Sequence, residues 1–206
     1  MQRPEKPPGT RTFVNCGAGP RGGGRVPTFF DDWREIRVDL DRTVDPDIIG
    51  SITDLSEIPD GVAEAVWTSH CLEHLYAHEV PTALGEFRRI MAPDGFLCLN
   101  VPDLQAVAEL IARDLLDDVA YESPAGPVTP HDMVYGHSPA LARGQVYMAH
   151  RCGFTRKALR QRLVDAGFED FVLARNEASI ELSVVAARTS FGDAARRTAL
   201  LSGLGF

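Results

Sequence analysis

A short apolar run that ends in a glycine-rich turn constrains this chain more than any other feature of its sequence. Residues 12–14 have the β-branched and aromatic character of a strand, and residues 17–19, Gly-Ala-Gly, follow directly. A second apolar run, residues 36–38, ends at Asp39. In a doubly wound sheet, a carboxylate at the end of the second strand lies beside the first glycine turn and can bind both hydroxyls of a ribose. The pattern therefore predicts a bound nucleoside.

The composition is that of one acidic globular domain. The chain has 206 residues, of which 44% are hydrophobic and 24% are charged, and its net charge is −8. An acidic protein repels phosphate backbones, so a nucleic-acid partner would need a localised basic face. The basic residues between 151 and 162 fall on a predicted amphipathic helix whose Leu159 and Leu163 face inward, so we interpret them as a solvated surface and expect no nucleic-acid partner.

Cysteine spacing and the absence of long apolar runs bear on the compartment. The four cysteines lie far apart and form no C-x-x-C pair, and residues 1–11 carry no apolar signal segment. No apolar run approaches the roughly 18 residues that cross a bilayer. We therefore expect a cytoplasmic protein with no membrane partner.

Strand and helix patterns alternate along the chain. Five strands are predicted before residue 102, at residues 12–16, 35–39, 48–52, 63–68 and 95–101. Helices are predicted at residues 28–34, 81–91 and 155–166 and after an Asp103 cap, with a closing strand hairpin at residues 170–174 and 180–187. The glycine-rich stretch before residue 28 leaves room for only a short first crossover helix.

These patterns divide the chain into three parts. Residues 1–11 form a flexible leader, and residues 12–187 form the folded domain. Within it, residues 121–153 are a long irregular segment, which is typical of a substrate lid. Residues 188–206 are a tail, either mobile or a weak amphipathic helix that docks on a partner subunit, so a homodimer through this tail is one expectation.

Two cofactor classes compete for the glycine turn. Gly17, Gly19 and Gly22 satisfy G-x-G-x-x-G, which suits a dinucleotide. Other segments favour a second class, because the chain resembles class I methyltransferases that use S-adenosylmethionine and carry an LNLGCGP-like first motif. The resemblance covers residues 12–187 and rests on seven segments in order: VNCGAGP (14–20), RVDLD (37–41), ITDL (52–55), AVWTSHCLEHL (65–75), EFRRIMAPDGFLCLNVPDL (86–104), AHRCGFT (149–155) and LVDAGF (163–168).

The resemblance implies a fold and a cofactor. The fold is α/β, a Rossmann-like, doubly wound seven-stranded sheet whose last strand is antiparallel, and the cofactor is S-adenosyl-L-methionine. The hairpin predicted at the end of the domain is what this fold requires. The chain departs from the family where Asn15 replaces an acidic residue, where Arg21 replaces the third glycine, and in its short first crossover.

The resemblance also implies which residues hold the cofactor. Gly17 and Gly19 pass close to its methionyl part, Asp39 binds the ribose, and Asp54 faces the adenine amine. Ser69 and His70 follow the fourth strand, where the crevice of such sheets opens, and we expect them near the transferable methyl. The full set expected at the cofactor is Asn15, Gly17, Ala18, Gly19, Asp39, Leu40, Asp54, Leu55, Ser69 and His70.

A metal site is a competing interpretation of the histidines after the fourth strand. His70, His74 and His78 recur every four residues beside Cys71, and histidines four apart on a helix can share an ion. A new helix is predicted to begin near Pro81, which takes His78 off the face of the other two. Glu73 and His74 match the family's LEH structural element, so the sequence favours a short capped helix and no metal.

Residues 121–153 hold the candidates for acid–base chemistry. Methyl transfer from a sulfonium is an in-line displacement, and a base helps when the acceptor carries a proton. The segment contains His131, Asp132, Tyr135, His137, Tyr147 and His150. We take His131 and His150 as the preferred pair, with His137 and Tyr135 as further candidates.

The sequence therefore predicts a methyltransferase that acts on an O, N or S atom of a small or medium acceptor, either a small molecule or a peptide-like group. An NAD(P)-linked oxidoreductase is an alternative that explains the glycine turn alone. A non-catalytic cofactor-binding subunit is another, and Asn15 and the short crossover favour it.

Overall fold

The structure is a computed structural model that describes residues 9–23 and 26–206. Residues 1–8 of the predicted leader lie outside the described residues. The strands are β1 (Thr12–Cys16), β2 (Arg34–Asp39), β3 (Ile48–Ile49), β4 (Ala63–Ser69), β5 (Met91–Pro102), β6 (Tyr121–Ser123), β7 (Gly126–Val128), β8 (Asp170–Asn176) and β9 (Glu181–Ala187). The α-helices are α1 (Val80–Ile90), α2 (Leu104–Ile111), α3 (Pro130–Tyr135), α4 (Ser138–Ala142), α5 (Arg156–Asp165) and α6 (Ala194–Gly203), and short 3-10 turns lie at Thr28–Phe30, Arg42–Val44, Leu72–His74 and Val146–Met148.

Seven strands form one sheet in the order β3-β2-β1-β4-β5-β9-β8. The first five strands in this order are parallel to one another, whereas β9 runs antiparallel to both β5 and β8. The order reverses at β1, so the carboxyl ends of β1 and β4 flank the crevice where sheets of this kind bind ligands. The predicted α/β, Rossmann-like sheet with an antiparallel last strand is confirmed.

Alternating side chains bury both faces of the sheet. On one face, Val14 and Val66 pack against Phe87 of α1 and Leu163 of α5, all with no measurable exposure. Because successive strand residues point to opposite faces, the neighbours of these valines belong to the second face. That face carries an aromatic cluster of Phe13, Phe30, Trp67 and Phe96.

The first crossover is shorter than the predicted helix over residues 28–34. Only Thr28–Phe30 is helical, as a 3-10 turn. Aromatic packing takes the place of a helix: the rings of Phe13 and Phe30 stack with centroids 4.5 Å apart, and Trp33 packs edge-on to Phe30. These side chains cover the face of the sheet that a longer helix would have covered.

The tail folds back on its own chain. Leu200 of α6 is buried in the aromatic cluster, and a Cβ at Gly203 would lie 2.6 Å from the Phe29 ring. The tail helix therefore uses its apolar side within the domain. Of the two alternatives for residues 188–206, the structure has the helix, which covers apolar surface that the short crossover leaves open. Docking of this tail on a partner subunit stays a prediction.

The 121–153 segment is more regular than predicted. It forms the β6–β7 hairpin, α3, α4 and a 3-10 turn. A capping box between Thr129 and Asp132 begins α3, with Pro130 in its first turn. This signal was readable in the sequence, but the helices are too short to show apolar periodicity.

Two strand boundaries also differ from the predictions. The third strand has two residues instead of five. In contrast, β5 begins at Met91 and includes the predicted Pro93–Gly95 turn as an irregularity in its pairing with β4. None of the helices formed by residues 9–23 and 26–206 has the length and apolar character that crossing a membrane requires.

Candidate active site

The glycine turn at the end of β1 needs glycine at two positions for different reasons. Gly17 has φ +72° and Gly19 has φ +59°, both in the left-handed region. A Cβ at Gly17 would lie 2.7 Å from Sγ of Cys71, whereas a Cβ at Gly19 would meet no atom within 4 Å. The N–H groups of Gly17 and Ala18 both donate to the Val38 carbonyl, at 2.9 and 3.2 Å. The Val38 carbonyl thus fixes the turn, and the space beside Gly19 is open. This arrangement fits the close approach of a ligand.

Asp39 at the end of β2 faces this turn. Its Oδ2 accepts the Gly19 N–H at 2.8 Å, and its Oδ1 accepts the Asp41 N–H at 2.9 Å. Each carboxylate oxygen keeps a further lone pair for a ribose hydroxyl. The next residue, Leu40, is 56% exposed and offers an apolar surface beside the carboxylate. The two side chains fit the ribose and the base of an adenosyl group.

A buried arginine supports the turn from within the sheet. The Arg37 side chain is 4% exposed, lies 3.2 Å from Glu35, and donates to the carbonyl oxygens of Gly19 and Val44. Asn15 donates to the same Glu35 carboxylate at 2.7 Å. Asn15 is therefore a buried part of the support, and the structure does not present it to a ligand. The only sequence signal for this network was a charged residue within the apolar run of β2.

Asp54 and Leu55, both predicted to lie at the cofactor, differ in exposure. Asp54 is exposed, and hydrogen bonds from Ser56 lower its pKa. Leu55 is buried in the core, with its N–H donating to Glu86 at 2.7 Å and its carbonyl accepting from Arg89 at 2.9 Å. The placement of Leu55 at the cofactor therefore needs correction, because its side chain and both backbone polar groups are engaged elsewhere.

Ser69 and His70 lie at the carboxyl end of β4, as expected. Ser69 is buried, and His70 has φ +51° with its ring between two carboxylates. Nε2 lies 3.0 Å from Glu181 and Nδ1 lies 3.3 Å from Glu73. Burial favours the neutral ring, but the hydrogen bond that the ring donates to Glu181 and the negative charge of Glu73 prevail and raise the pKa of His70 to about 9. His70 is thus a paired cation and no free base.

Part of the 121–153 segment bridges two loops at this edge of the sheet. The Tyr147 hydroxyl donates to Asp41 at 2.8 Å, just beyond β2, and the Ala149 carbonyl lies 3.2 Å from Nδ1 of His74, just beyond β4. The Arg151 N–H donates to the Glu73 carbonyl at 2.8 Å. Because β1 lies between β2 and β4, this bridge passes across the carboxyl end of β1, where the glycine turn lies.

The candidate acid–base residues lie in and around α3 and just after the Val146–Met148 turn. The His131 ring packs 4.9 Å from that of Tyr135, which is 57% exposed, and His137 precedes α4 without capping it through its side chain. The His150 ring lies 4.9 Å from that of His74, and the His150 N–H donates to the Tyr135 carbonyl of α3 at 3.1 Å. Burial lowers the pKa of His150, so its ring is neutral near pH 7.

Part of the sequence matches a known protein family. The sequence model of a family described as "Methyltransferase domain" matches residues 32–99, from just before β2 into β5. No curated protein matches the chain significantly in sequence. The family match leaves out the glycine turn, so the two features are independent indications.

Solved structures share the fold at low sequence identity. The CMeT domain of the citrinin polyketide synthase is 14% identical with a TM-score of 0.56, and the match covers 88% of this chain and 47% of that one. The 1,6-didemethyltoxoflavin-N1-methyltransferase of Burkholderia thailandensis is 17% identical with a TM-score of 0.51, over 88% of this chain and 72% of that one. A SAM-dependent methyltransferase of Methanosarcina mazei is 15% identical with a TM-score of 0.55, over 88% and 94%.

The sheet order and the glycine turn beside Asp39 are typical of nucleoside-binding α/β sheets. Residues 32–99 match a methyltransferase family, and the chain shares its fold with S-adenosylmethionine-dependent methyltransferases, the class that its motifs resemble. The cofactor of this class is S-adenosylmethionine. The chain spans about half of the citrinin protein, 47%, and most of the Methanosarcina protein, 94%.

Proposed function

We propose that this protein transfers a methyl group from S-adenosylmethionine to an O, N or S atom of a small or medium acceptor that enters under the 121–153 segment. The bridge from Asp41 to His74 is the observation that carries the proposal. A segment that crosses the end of β1 can exclude water from a cofactor held there and can form the far wall of an acceptor pocket. We therefore interpret residues 121–153 as the acceptor lid.

The cofactor role rests on the glycine turn, Asp39 and Leu40. The methionyl part would lie along the open side of Gly19, the ribose hydroxyls on Asp39, and the adenine against Leu40. When bound, S-adenosylmethionine supplies a methyl group activated by its sulfonium. The chain itself contributes orientation and water exclusion, which provide most of the acceleration in an in-line displacement.

The residues that could remove a proton from the acceptor lie in the lid. His70 is paired with two carboxylates, so it orients the loop after β4 and does not remove a proton. His131, Tyr135, His137 and His150 remain the candidates from sequence. Among them, His150 is the one that contacts the loop after β4, through His74.

The structure weighs against the dinucleotide alternative. A pyrophosphate needs the amino terminus of a helix directly after the glycine turn. In the described stretch between β1 and β2, residues 17–23 and 26–33, the helical element is the Thr28–Phe30 turn, which is too short to act in this way. A nicotinamide cofactor would therefore lack its usual phosphate site.

A labelled-methyl assay tests the proposal. The full chain is incubated with methyl-labelled S-adenosylmethionine and a panel of phenols, amines, thiols and carboxylates, and S-adenosylhomocysteine is measured. We expect one acceptor class to stimulate product formation and Tyr147→Phe to raise its KM, with Tyr76→Phe as the matched control because Tyr76 stacks on His78. Binding of NAD without S-adenosylhomocysteine binding would contradict the proposal. Binding of S-adenosylhomocysteine with no turnover on any acceptor would favour the non-catalytic subunit.

A further inference from the structure

Three side chains with metal-binding atoms converge at the junction between the lid and the loop after β4. Glu73 and His74 come from the Leu72–His74 turn, and His150 comes from the 121–153 segment. One ligand atom from each lies within 4.8 Å of the others. We propose that Glu73, His74 and His150 bind one divalent transition-metal ion of the zinc class, which holds the lid on the sheet and keeps a coordination position open for the acceptor.

The hydrogen bonds of both rings leave the same nitrogen for a metal. Nδ1 of His74 lies 3.2 Å from the Ala149 carbonyl, and Nδ1 of His150 lies 2.8 Å from the Met133 carbonyl. A carbonyl oxygen can only accept, so each ring carries its proton on Nδ1 and keeps a lone pair on Nε2. Histidines that bind metals have this arrangement, with the second ring N–H donated to a carbonyl or carboxylate.

The buried carboxylate is an independent indication of a ligand. Glu73 is 1% exposed, and within residues 9–23 and 26–206 neither of its side-chain oxygens has a hydrogen-bond partner. The His70 ring contributes an ion pair at 3.3 Å to Oε1. A buried carboxylate without hydrogen bonds is costly, and a divalent cation bound at Oε2 would satisfy it.

The ligand set selects the kind of metal. Magnesium and calcium prefer oxygen ligands, whereas two imidazoles and one carboxylate suit zinc and the late first-row metals. Metal–ligand distances of 2.0–2.1 Å bring tetrahedral ligands to about 3.4 Å from each other, so the three groups must move closer when the ion binds. Three protein ligands leave one position open, as in catalytic zinc sites.

This assignment changes the interpretation of the histidines after β4. The sequence offered His70, His74 and His78 as a set, but His78 stacks on Tyr76, and His70 lies between Glu73 and Glu181. The partner of His74 is His150, which comes from a distant part of the sequence. With His150 as a ligand, a bound metal would lower the pKa of an acceptor hydroxyl or thiol in the open position, and the proton would leave to solvent water.

Metal binding is measured on the full chain after treatment with a chelator. Zn²⁺ is titrated in competition with a chromophoric chelator, and Co²⁺ is added separately as a spectroscopic probe. We expect one equivalent per chain, on the order of 100-fold weaker binding in His74→Ala and in His150→Ala, and a visible Co²⁺ spectrum that changes in both variants. His78→Ala is the matched control and should keep wild-type binding.

Three results would overturn the inference. They are wild-type Zn²⁺ binding no tighter than that of His150→Ala, an equal loss in His78→Ala, and a Co²⁺ spectrum of the wild type that matches Co²⁺ free in buffer. Circular dichroism checks that each variant folds, and the wild-type spectrum gives a result that needs no variant.

The open position for the acceptor rests on the proposed function, but metal binding does not. If the chain binds zinc but does not bind S-adenosylhomocysteine, the proposed function is wrong and the metal site is supported. If it binds S-adenosylhomocysteine and no zinc, the site fails alone.

Discussion

The hydroxyl of Tyr147 donates to Oδ2 of Asp41 at 2.8 Å, and the Asp41 N–H donates to Asp39 at 2.9 Å. Two hydrogen bonds thus connect the lid to the carboxylate that we assign to the cofactor ribose. The pKa of Asp41 is lowered by hydrogen bonds from Thr43 and from Tyr147, so the acceptor in this link is ionised near pH 7. We therefore expect the order of the lid and the occupancy of the cofactor site to be coupled.

Tyr147→Phe should loosen the lid without unfolding the domain. A net loss of about 1 kcal/mol for this hydrogen bond corresponds to an about fivefold faster hydrogen exchange in residues 146–150. The melting temperature should stay unchanged, because the core does not include Tyr147. Exchange in this segment equal to that of the wild type would show that the bond does not order the lid.

Arg37→Met should weaken both folding and cofactor binding. The substitution leaves the Glu35 carboxylate without its arginine and the Gly19 carbonyl without its donor. We expect a loss of about 3 kcal/mol in the free energy of unfolding, measured by urea denaturation, and weaker S-adenosylhomocysteine binding.

Arg21→Ala is the control for Arg37→Met, since Arg21 forms an exposed pair with Asp45. Its effect on stability should stay within about 0.5 kcal/mol. Equal effects of the two substitutions would refute a supporting role for Arg37.

Alanine at the two turn glycines should separate stability from binding. Gly17→Ala places a Cβ 2.7 Å from Cys71 Sγ in addition to its unfavourable φ, so it should lower the melting temperature more than Gly19→Ala. Gly19→Ala adds only the backbone strain, about 1–2 kcal/mol, but its methyl occupies the open side where we place the cofactor. It should therefore reduce S-adenosylhomocysteine affinity beyond its effect on stability. The reverse order would mean that the ligand approaches from another side.

The capping carboxylate of α3 should make the lid sensitive to acid. Burial alone would raise the pKa of Asp132, but hydrogen bonds from Ser138 and Thr129 lower it from 3.8 to about 2. Because the folded-state pKa is depressed, this stabilisation is present above pH 3.8 and is lost as the pH falls toward 2. Solvent screening reduces the contribution of the Asp132 carboxylate to the free energy of unfolding to about 1–2 kcal/mol.

Asp132→Asn is the test of this pH dependence. The stability difference between wild type and variant, measured by hydrogen exchange of α3 and α4, should be largest at pH 5–6 and shrink between pH 4 and pH 2. A difference that is constant with pH would assign the effect to packing.

Local signals in the sequence predicted the sheet well. The apolar runs of β1 and β4 and the closing hairpin are visible because strand patterns and turn residues act over a few positions. The placement of Gly17, Gly19 and Asp39 at one edge of the sheet follows from the topology that those strands imply.

Long-range contacts account for the features that the sequence did not reveal. Arg37 is a buried charge whose partners come from three separate segments, and Leu55 has the same local pattern whether it faces a ligand or the core. The approach of His150 to His74 depends on how the 121–153 segment crosses the sheet. No periodicity carries that information.

Calorimetric titration of the full chain with S-adenosylhomocysteine tests the central claim most directly. We expect saturable binding of one equivalent in the wild type, at least tenfold weaker binding in Asp39→Asn, and wild-type affinity in Asp45→Asn, whose carboxylate lies nearby in a surface ion pair. Equal affinity in Asp39→Asn and the wild type, or no heat of binding at millimolar ligand, would contradict the assignment of the glycine turn and Asp39 as the cofactor site.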